Sequence, residues 1–204
     1  NLNNEGYLDF ISIEGYPLKI NILNKIYGNN SKLKNFWDEL QDALPPLWPG
    51  VHRLNLQNGR VRLTLIYEEV LNALARQNFE ADAWFLDGFN PNKNLEMWSE
   101  EVMNEVFRLT KPSGTFSTFS SAGFVRRNLE RAGFEVYKIK GFRSKKEMSV
   151  GKKVSIKKTK NQFKKFLIVG GGIAGASIAH SLNARGYKST IIDKYNKLAQ
   201  GASG

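Results

Sequence analysis

A glycine-rich turn near the C-terminus constrains the fold of this chain more than any other feature. Gly-Gly-Gly-Ile-Ala-Gly at 170–175 follows a short apolar segment at 166–169 and precedes a helical pattern that ends near Arg185. A second apolar segment then ends in Asp193. Strand, Gly-x-Gly-x-x-Gly turn, helix, strand and acid, with the acid roughly 20 residues after the turn, is the dinucleotide-binding pattern. The sequence therefore predicts the first βαβ unit of a dinucleotide-binding Rossmann domain.

Each glycine of this turn has a predicted role. Gly170 makes the tight turn, Gly172 lets the backbone approach a pyrophosphate, and Gly175 lets the helix pack closely on the strand. Asp193 is expected to accept hydrogen bonds from ribose hydroxyls. Because the sequence stops at Gly204, we expect this unit to be the beginning of a domain, without useful affinity for a dinucleotide by itself. The alternative is a glycine-rich turn in an unrelated α/β unit.

Composition limits the class of protein. A chain of 204 residues with 41% hydrophobic and 12% aromatic residues suits one full domain and part of another. The absence of cysteine excludes disulfides and cysteine-ligated metals, and the two histidines, His52 and His180, lie far apart in the sequence. We therefore predict no metal site. Without a signal-peptide pattern or an apolar run of about 18 residues, the sequence predicts a cytoplasmic protein that does not associate with membranes.

The positive charge is concentrated between the two predicted domains. Residues 151–165 contain seven lysines and no acid, and removing those lysines from the net charge of +11 leaves +4 for the rest. We interpret residues 152–165 as a solvated, lysine-rich linker. The alternative is an electrostatic arm for a polyanion such as RNA.

The first 151 residues alternate strand and helix patterns. Asn58-Gly59 predicts a hairpin between two of the strands, and Gly133 predicts the end of the last helix, which Ser121 would cap. The order, with an antiparallel pair at the edge, is typical of a class I S-adenosylmethionine methyltransferase, a Rossmann-like α/β sheet, whose first strand is missing. Strands are predicted at 7–13, 51–56, 61–67, 83–86, 115–119, 134–140 and 147–151, and helices at 18–27, 33–44, 69–77, 95–109 and 121–132.

Three acids follow predicted strands. In open α/β sheets ligands bind at the carboxyl ends of the strands, where Glu14, Glu69 and Asp87 fall. Glu14 suits a cofactor ribose, since a carboxylate can accept from two adjacent hydroxyls, and Glu69 could accept from an adenine amino group. The alternative for each acid is a helix N-cap or a solvated turn.

Longer motifs carry a more specific resemblance. The sequence closely resembles the bifunctional enzymes that complete 5-methylaminomethyl-2-thiouridine at the wobble position of tRNA, and the resemblance covers nearly the whole chain. The segments that carry it are FISIE at 10–14, HR at 52–53, DAWFLDGFNP at 82–91, TFSSAGFVRR at 118–127, AGF at 132–134, KGF at 140–142 and KKEM at 145–148.

The resemblance implies two domains and two cofactors. It implies an S-adenosylmethionine-dependent methyltransferase domain at 1–151 and the start of an FAD-dependent oxidoreductase domain at 166–204. In that family the oxidoreductase removes the carboxymethyl group from 5-carboxymethylaminomethyluridine, and the methyltransferase then methylates the exposed amine. The expected partner is the anticodon stem-loop of tRNA, bound by a monomer.

The sequence departs from the family in two places. Tyr67-Glu68-Glu69 stands where the family usually has a Gly-Asp pair, so that Glu69 takes the position of the acid with a longer side chain. The family's glycine-rich cofactor loop would precede Asn1. We therefore expect this chain alone to be marginally stable and inactive with either cofactor. The alternatives are a methyltransferase for a small amine, a flavin amine oxidase, or a non-catalytic product that only binds RNA.

The chemistry implied by the resemblance assigns roles to two residues. Methyl transfer needs a neutral amine, and a carboxylate beside it can orient the lone pair and take a proton. Asp87 has the position for that role, and Phe89 could stack on the uracil or wall the cofactor sulfonium. The alternative makes Asp87-Gly88 an ordinary turn and Phe89 a core residue.

A basic region provides candidates for binding RNA phosphates. Residues 121–146 contain eight lysines and arginines against two acids, and four aromatic residues lie among them. Each basic residue could instead be a plain surface charge. The candidates are Arg126, Arg127, Arg143, Lys145 and Lys146.

Overall fold

The structure, a computed structural model, describes residues 6–30, 32–141, 145–154, 165–183 and 187–195. Arg143 and most of the predicted linker, residues 155–164, lie outside the described residues. The chain forms two compact units. The larger lies within residues 9–54 and 63–154, and the smaller contains residues 55–62 and the described C-terminal segments.

A three-stranded sheet comes first in the chain. Two helices follow its first strand, and the predicted hairpin joins the other two strands. At the hairpin, Asn58 and Gly59 have φ of 56° and 83°, the left-handed conformation that Asn and Gly tolerate best. The sheet order is β1-β3-β2, with β1 (Leu8–Ile13), α1 (Ile20–Tyr27), α2 (Lys34–Ala43), β2 (Gly50–Leu56) and β3 (Val61–Tyr67).

A four-stranded sheet carries the predicted antiparallel pair at its edge. Strands β4 and β5 pair in parallel, and β7 pairs antiparallel with both β5 and β6, which confirms the predicted α/β organisation. The sheet order is β4-β5-β7-β6, with β4 (Ala81–Phe85), β5 (Thr110–Thr118), β6 (Phe134–Lys140) and β7 (Glu147–Lys153), and with helices α3 (Val70–Ala75), α4 (Glu100–Arg108) and α5 (Gly123–Ala132).

Two predicted helix starts are wrong. The helix predicted to begin at residue 95 begins at Glu100, because the Ser99 hydroxyl accepts from the backbone N–H of Val102 and residues 96–98 form a separate 3₁₀ turn. Ser121 does not cap α5, whose N-cap is Ala122 without a side-chain hydrogen bond.

The predicted end of α5 is confirmed, and the predicted turn at 111–114 is not a separate turn. Gly133 ends α5 in the left-handed conformation, at φ 112°, as predicted. The predicted turn at 111–114 lies instead within β5. Strand β4 pairs across it, because Ala81 faces Thr110 and Ala83 faces Thr115. The Lys-Pro-Ser-Gly segment is thus an irregularity in the strand.

The core of the larger unit lies between the four-stranded sheet and α4 and α5. The rings of Phe107, Phe116 and Phe134 meet edge to face, a geometry that favours aromatic pairs. A Cβ on Gly151 would collide with the Phe116 ring, so this position in β7 requires glycine. The buried core residues are Leu74, Trp98, Val102, Met103, Val106, Leu109, Phe116, Val125, Leu129 and Phe134.

The C-terminal segments form the predicted βαβ unit. Strand β8 (Phe166–Val169) leads through the glycine turn into α6 (Ile173–Asn183), and β9 (Ser189–Ile192) pairs in parallel with β8. Large apolar side chains of this unit stay exposed, including Val169 at 80%.

Candidate functional site

The carboxyl ends of β1, β3 and β4 bring ionisable groups together. Partial burial raises the pKa of Glu14 above its ordinary value, a hydrogen bond from Ser12 opposes the rise, and the negative charge of Asp87 adds to it. Burial, and next the charge of Glu14, raises the pKa of Tyr67. Glu14 and Asp87 therefore act on each other electrostatically, although 73 positions separate them in the sequence.

Asp87 lines a pocket at the carboxyl ends of β4 and β5. The cavity has a volume of about 350 Å³, near the lower end of the range for small-molecule sites. The backbone N–H of Leu86 donates to the Ser117 carbonyl at 2.9 Å, which extends the β4–β5 ladder to the residue before Asp87. The lining residues are Phe85, Leu86, Asp87, Ser117, Thr118, Phe119, Lys145 and Met148.

A buried tryptophan fixes the turn that follows Asp87. The indole N–H of Trp98 donates to the Phe89 carbonyl at 3.0 Å. Gly88 lies against the same ring, where an added Cβ would come within 2.9 Å of it. The Phe89 side chain is 67% exposed, so it is not a core residue. Of the two predicted catalytic residues, Asp87 lines the pocket and Phe89 is not among its lining residues.

The predicted RNA-binding residues separate into different environments. Lys145 lines the pocket with Asp87, and its ammonium lies 5.3 Å from the centre of the Phe119 ring. Lys146 and Arg127 are exposed. Arg126 is partly buried on α5, and its Nε atom is buried without a hydrogen-bond partner.

Glu69 is the N-cap of α3. Its carboxylate accepts from the backbone N–H groups of Leu71 at 3.0 Å and Asn72 at 3.1 Å. This is the alternative that the sequence left open for an acid after a strand. An adenine amino group would share the carboxylate with these two donors, and Glu69 remains a predicted cofactor residue. The neighbouring Glu68 forms an ion pair with Arg76 at 3.0 Å.

Sequence reasoning missed several side chains at this edge of the sheet. Ser117, Thr118 and Met148 line the pocket, and the polar pair at the end of β5, the strand next to β4, was a usable signal for them. The centre of the Tyr67 ring lies 5.1 Å from that of the His52 ring, with the two ring planes tilted by 47°. In the sequence His52 contributed to the family resemblance and counted against a metal site, but it was not predicted to lie beside Tyr67.

The glycine turn has the predicted conformation at two positions. Gly170 has φ +99°, which glycine adopts readily, and its N–H donates to the Ile192 carbonyl at 2.7 Å. A Cβ on Gly175 would collide with the Gly170 carbonyl oxygen, so α6 packs against the turn as closely as predicted. A bare backbone cradle at a helix N-terminus fits a pyrophosphate.

Asp193 is fixed beside this turn. Its carboxylate accepts from the backbone N–H of Gly171 and of Tyr195, and these hydrogen bonds, the first being the larger effect, lower its pKa. The carboxylate thus lies at the glycine turn, where a dinucleotide ribose would be held, and that role remains a prediction.

The described part of the chain contains neither a metal-binding cluster nor a membrane-spanning helix. Residues 6–30, 32–141, 145–154, 165–183 and 187–195 contain no cluster of three or more His, Cys, Asp or Glu that could hold a metal ion. No helix within the same ranges is long and apolar enough to cross a membrane.

Family models match both parts of the chain. Residues 31–154 match a family described as S-adenosyl-L-methionine-dependent methyltransferase. The chain belongs to the S-adenosyl-L-methionine-dependent methyltransferase family. Residues 165–204 match a second family, described as FAD dependent oxidoreductase. The two cofactors expected from the sequence are those of the two matched families.

The curated relatives of this chain are named as bifunctional proteins. The methyltransferase is 39% identical over 215 residues to the "tRNA 5-methylaminomethyl-2-thiouridine biosynthesis bifunctional protein MnmC" of Marinomonas sp. (strain MWYL1). It is 40% identical over 200 residues to the protein of the same name from Marinobacter nauticus. Each alignment covers 97% of this chain and 32% of the relative, so the chain spans about a third of the length of these relatives.

A solved structure supports the fold. The crystal structure of MNMC2 from Aquifex aeolicus matches with a TM-score of 0.56 and 23% sequence identity, covering 76% of this chain and 47% of that one. At this identity the match shows the α/β fold alone.

Proposed function

We propose that this methyltransferase methylates the primary amine of 5-aminomethyl-2-thiouridine at the tRNA wobble position, giving 5-methylaminomethyl-2-thiouridine. The observation that carries the proposal is the pocket of about 350 Å³ in which Asp87 offers a carboxylate at the carboxyl end of β4. The names of the relatives supply the nucleoside. The size of the pocket supports a single base with its substituent as the ligand.

Asp87 is the proposed proton acceptor. A primary alkylamine is mostly protonated near neutral pH, and only its neutral form can act as a nucleophile. The Asp87 carboxylate hydrogen-bonds the amine, orients its lone pair and takes a proton directly or through water. S-adenosylmethionine, when bound, supplies the methyl group on a sulfonium. With that cofactor bound, the amine nitrogen would receive the methyl group, and the S–C bond would break with its electron pair remaining on sulfur.

Other residues at the same edge complete the proposed site. Glu14, electrostatically coupled to Asp87, is assigned to the cofactor ribose, and Glu69 to the adenine. Phe89, which is exposed and lies two residues after Asp87, is assigned to stacking on the base or on the cofactor. The proposed fit of the cofactor rests on hydrogen-bond acceptors, since carboxylates at strand ends accept from hydroxyl and amino groups.

We extend the proposal to the domain organisation. Residues 1–151 form the methyltransferase domain, 152–165 the linker and 166–204 the start of the FAD domain, which in the complete gene product removes the carboxymethyl group from 5-carboxymethylaminomethyluridine. Gly170 makes the tight turn, Gly172 lets the backbone approach the FAD pyrophosphate, Gly175 packs the helix, and Asp193 holds the ribose. The protein is a cytoplasmic monomer that binds the anticodon stem-loop, with phosphate contacts from Arg126, Arg127, Arg143 and Lys146.

Asp87→Asn in the complete gene product tests the proposal. Asparagine keeps the size of the side chain and loses the proton acceptor, so methylation of tRNA bearing 5-aminomethyl-2-thiouridine should stop while carboxymethyl removal continues. Nucleoside mass spectrometry of the modified tRNA measures both reactions.

Asp82→Asn is the matched control for this experiment. Asp82 lies on the same strand and pairs with Lys111 at 2.8 Å, and its side chain is 81% exposed. Its replacement should leave both reactions unchanged. Formation of 5-methylaminomethyl-2-thiouridine at the normal rate in the Asp87 variant would refute the proposed role.

A further inference from the structure

Two opposite charges from distant parts of the sequence line one pocket. Asp87 follows β4, and Lys145 precedes β7. Strand β5 lies between β4 and β7 in the sheet, and because β7 runs antiparallel to it, the start of β7 lies at the carboxyl end of β5, where Thr118 faces Ser149. The pocket therefore has a carboxylate from one side of β5 and an ammonium from the other.

The ammonium group of Lys145 lies near an aromatic ring that lines the pocket. Its ammonium lies 5.3 Å from the centre of the Phe119 ring, within the range of a cation–π contact, and Phe119 itself lines the cavity. Glu147, the acid nearest in sequence, pairs with Lys138 at 2.6 Å. Lys145 and the next residue, Lys146, are both exposed, but Lys146 is not among the lining residues.

We propose that Lys145 determines base specificity by donating a hydrogen bond to a carbonyl oxygen of the substrate pyrimidine while Asp87 receives the amine. The proposal rests on the function proposed above and deepens it. An acceptor carboxylate and a donor ammonium in one small cavity match a ligand with an amine at one end and a carbonyl at another. An amino group in the place of the carbonyl would present its own N–H donors to the ammonium, so a cytosine-type base is rejected.

The test compares two RNAs that differ at one base. Anticodon stem-loops carry either 5-aminomethyluridine or 5-aminomethylcytidine at the wobble position. Methylation kcat/KM and the dissociation constant from fluorescence anisotropy are measured for the complete gene product, for Lys145→Met and Lys145→Arg, and for Lys146→Met as the matched control.

The wild type should prefer the uridine RNA roughly tenfold or more, the scale of one hydrogen bond to a charged group. Lys145→Met should lose affinity and rate for the uridine RNA only, so that the preference disappears, and Lys145→Arg should keep part of it. Lys146→Met should weaken both RNAs equally, as expected of a phosphate contact. An equal loss for both RNAs in Lys145→Met would make Lys145 a phosphate contact and overturn the proposal.

The two readouts separate this inference from the proposed reaction. A binding preference that depends on Lys145 without any methyl transfer by the wild type would overturn the reaction and support the role of Lys145. Methylation with an unchanged preference in Lys145→Met would overturn the role of Lys145 alone. Failure of the wild type to bind either RNA would overturn both.

Discussion

Replacing Trp98 with phenylalanine tests whether this indole holds Asp87 in place. Trp98 is 2% exposed, and its N–H donates to the Phe89 carbonyl at 3.0 Å, two residues after Asp87. Gly88 lies against the same ring. Phenylalanine would fill part of the volume and donate no hydrogen bond. The turn would therefore lose the hydrogen bond to the Phe89 carbonyl and part of the ring surface against which Gly88 packs.

The expected loss of stability follows from these contacts. The hydrogen bond contributes about 1 kcal/mol, and the volume left by the smaller ring costs about 1–2 kcal/mol. The free energy of unfolding should therefore fall by about 2–3 kcal/mol. A displacement of about 1 Å at a reacting group can lower a rate on the order of 100-fold. Methylation should therefore fall by about ten- to 100-fold under conditions in which the variant is still folded.

Trp84→Phe is the matched control for this experiment. The indole N–H of Trp84 also donates a partly buried hydrogen bond, to the Thr110 hydroxyl at 2.8 Å. This hydrogen bond does not involve the turn after Asp87. Urea unfolding followed by circular dichroism should show a loss of about 1 kcal/mol, with methylation close to that of the wild type. Equal losses of methylation in the two variants, or normal methylation in Trp98→Phe, would refute the positioning role.

Two further predictions concern the cofactor residues. The raised pKa of Glu14 means that the folded state holds this proton more tightly than the unfolded chain, so stability falls as pH rises above the ordinary value of 4.5. Glu14→Gln should remove that fall from a plot of unfolding free energy against pH, and an unaltered plot would contradict it. Gly172→Val places a side chain where a pyrophosphate approaches and should lower the FAD content of the complete gene product without changing methylation. An unchanged flavin absorbance would show that the turn is not the cofactor site.

The parts of the fold that the sequence predicted are those with local causes. Asn58-Gly59 and Gly133 adopt positive φ, which few other residues tolerate, so the hairpin and the end of α5 could be placed from residue type. The predicted start of α4 was wrong because apolar residues such as Trp98 continue the helical period to positions before the true N-cap, Ser99. Residues 111–114 belong to β5 because β4 pairs on both sides of them, but the register shift there and the φ of 65° at Ser113 retain the local bend that the Pro-Ser-Gly chemistry predicted.

The same distinction applies to the candidate site. Asp87 and Glu14 could be chosen from the sequence because each follows a strand, and ligands of open α/β sheets bind at the carboxyl ends of strands. The two strands belong to different sheets in the structure, yet the charge of Asp87 acts on Glu14. Glu69 follows a strand too, yet its carboxylate is engaged by the first turn of α3. A strand end predicts where an acid lies. It does not predict whether the acid faces a ligand or its own backbone.

The place of Lys145 in the pocket could not be predicted from the sequence. In the sequence, Lys145 and Lys146 are equivalent members of one basic run, and a phosphate role was the natural hypothesis for both. The antiparallel pairing of β7 with β5 brings the segment before β7 to the end of β5. There Lys145 lies at the Phe119 ring and lines the pocket, whereas Lys146 does not line it. That pairing joins residues about 30 positions apart and has no local signature in the sequence. The carboxylate of the pocket could thus be predicted from strand order alone, whereas its ammonium depended on register, and the base specificity proposed for the pocket requires both charges.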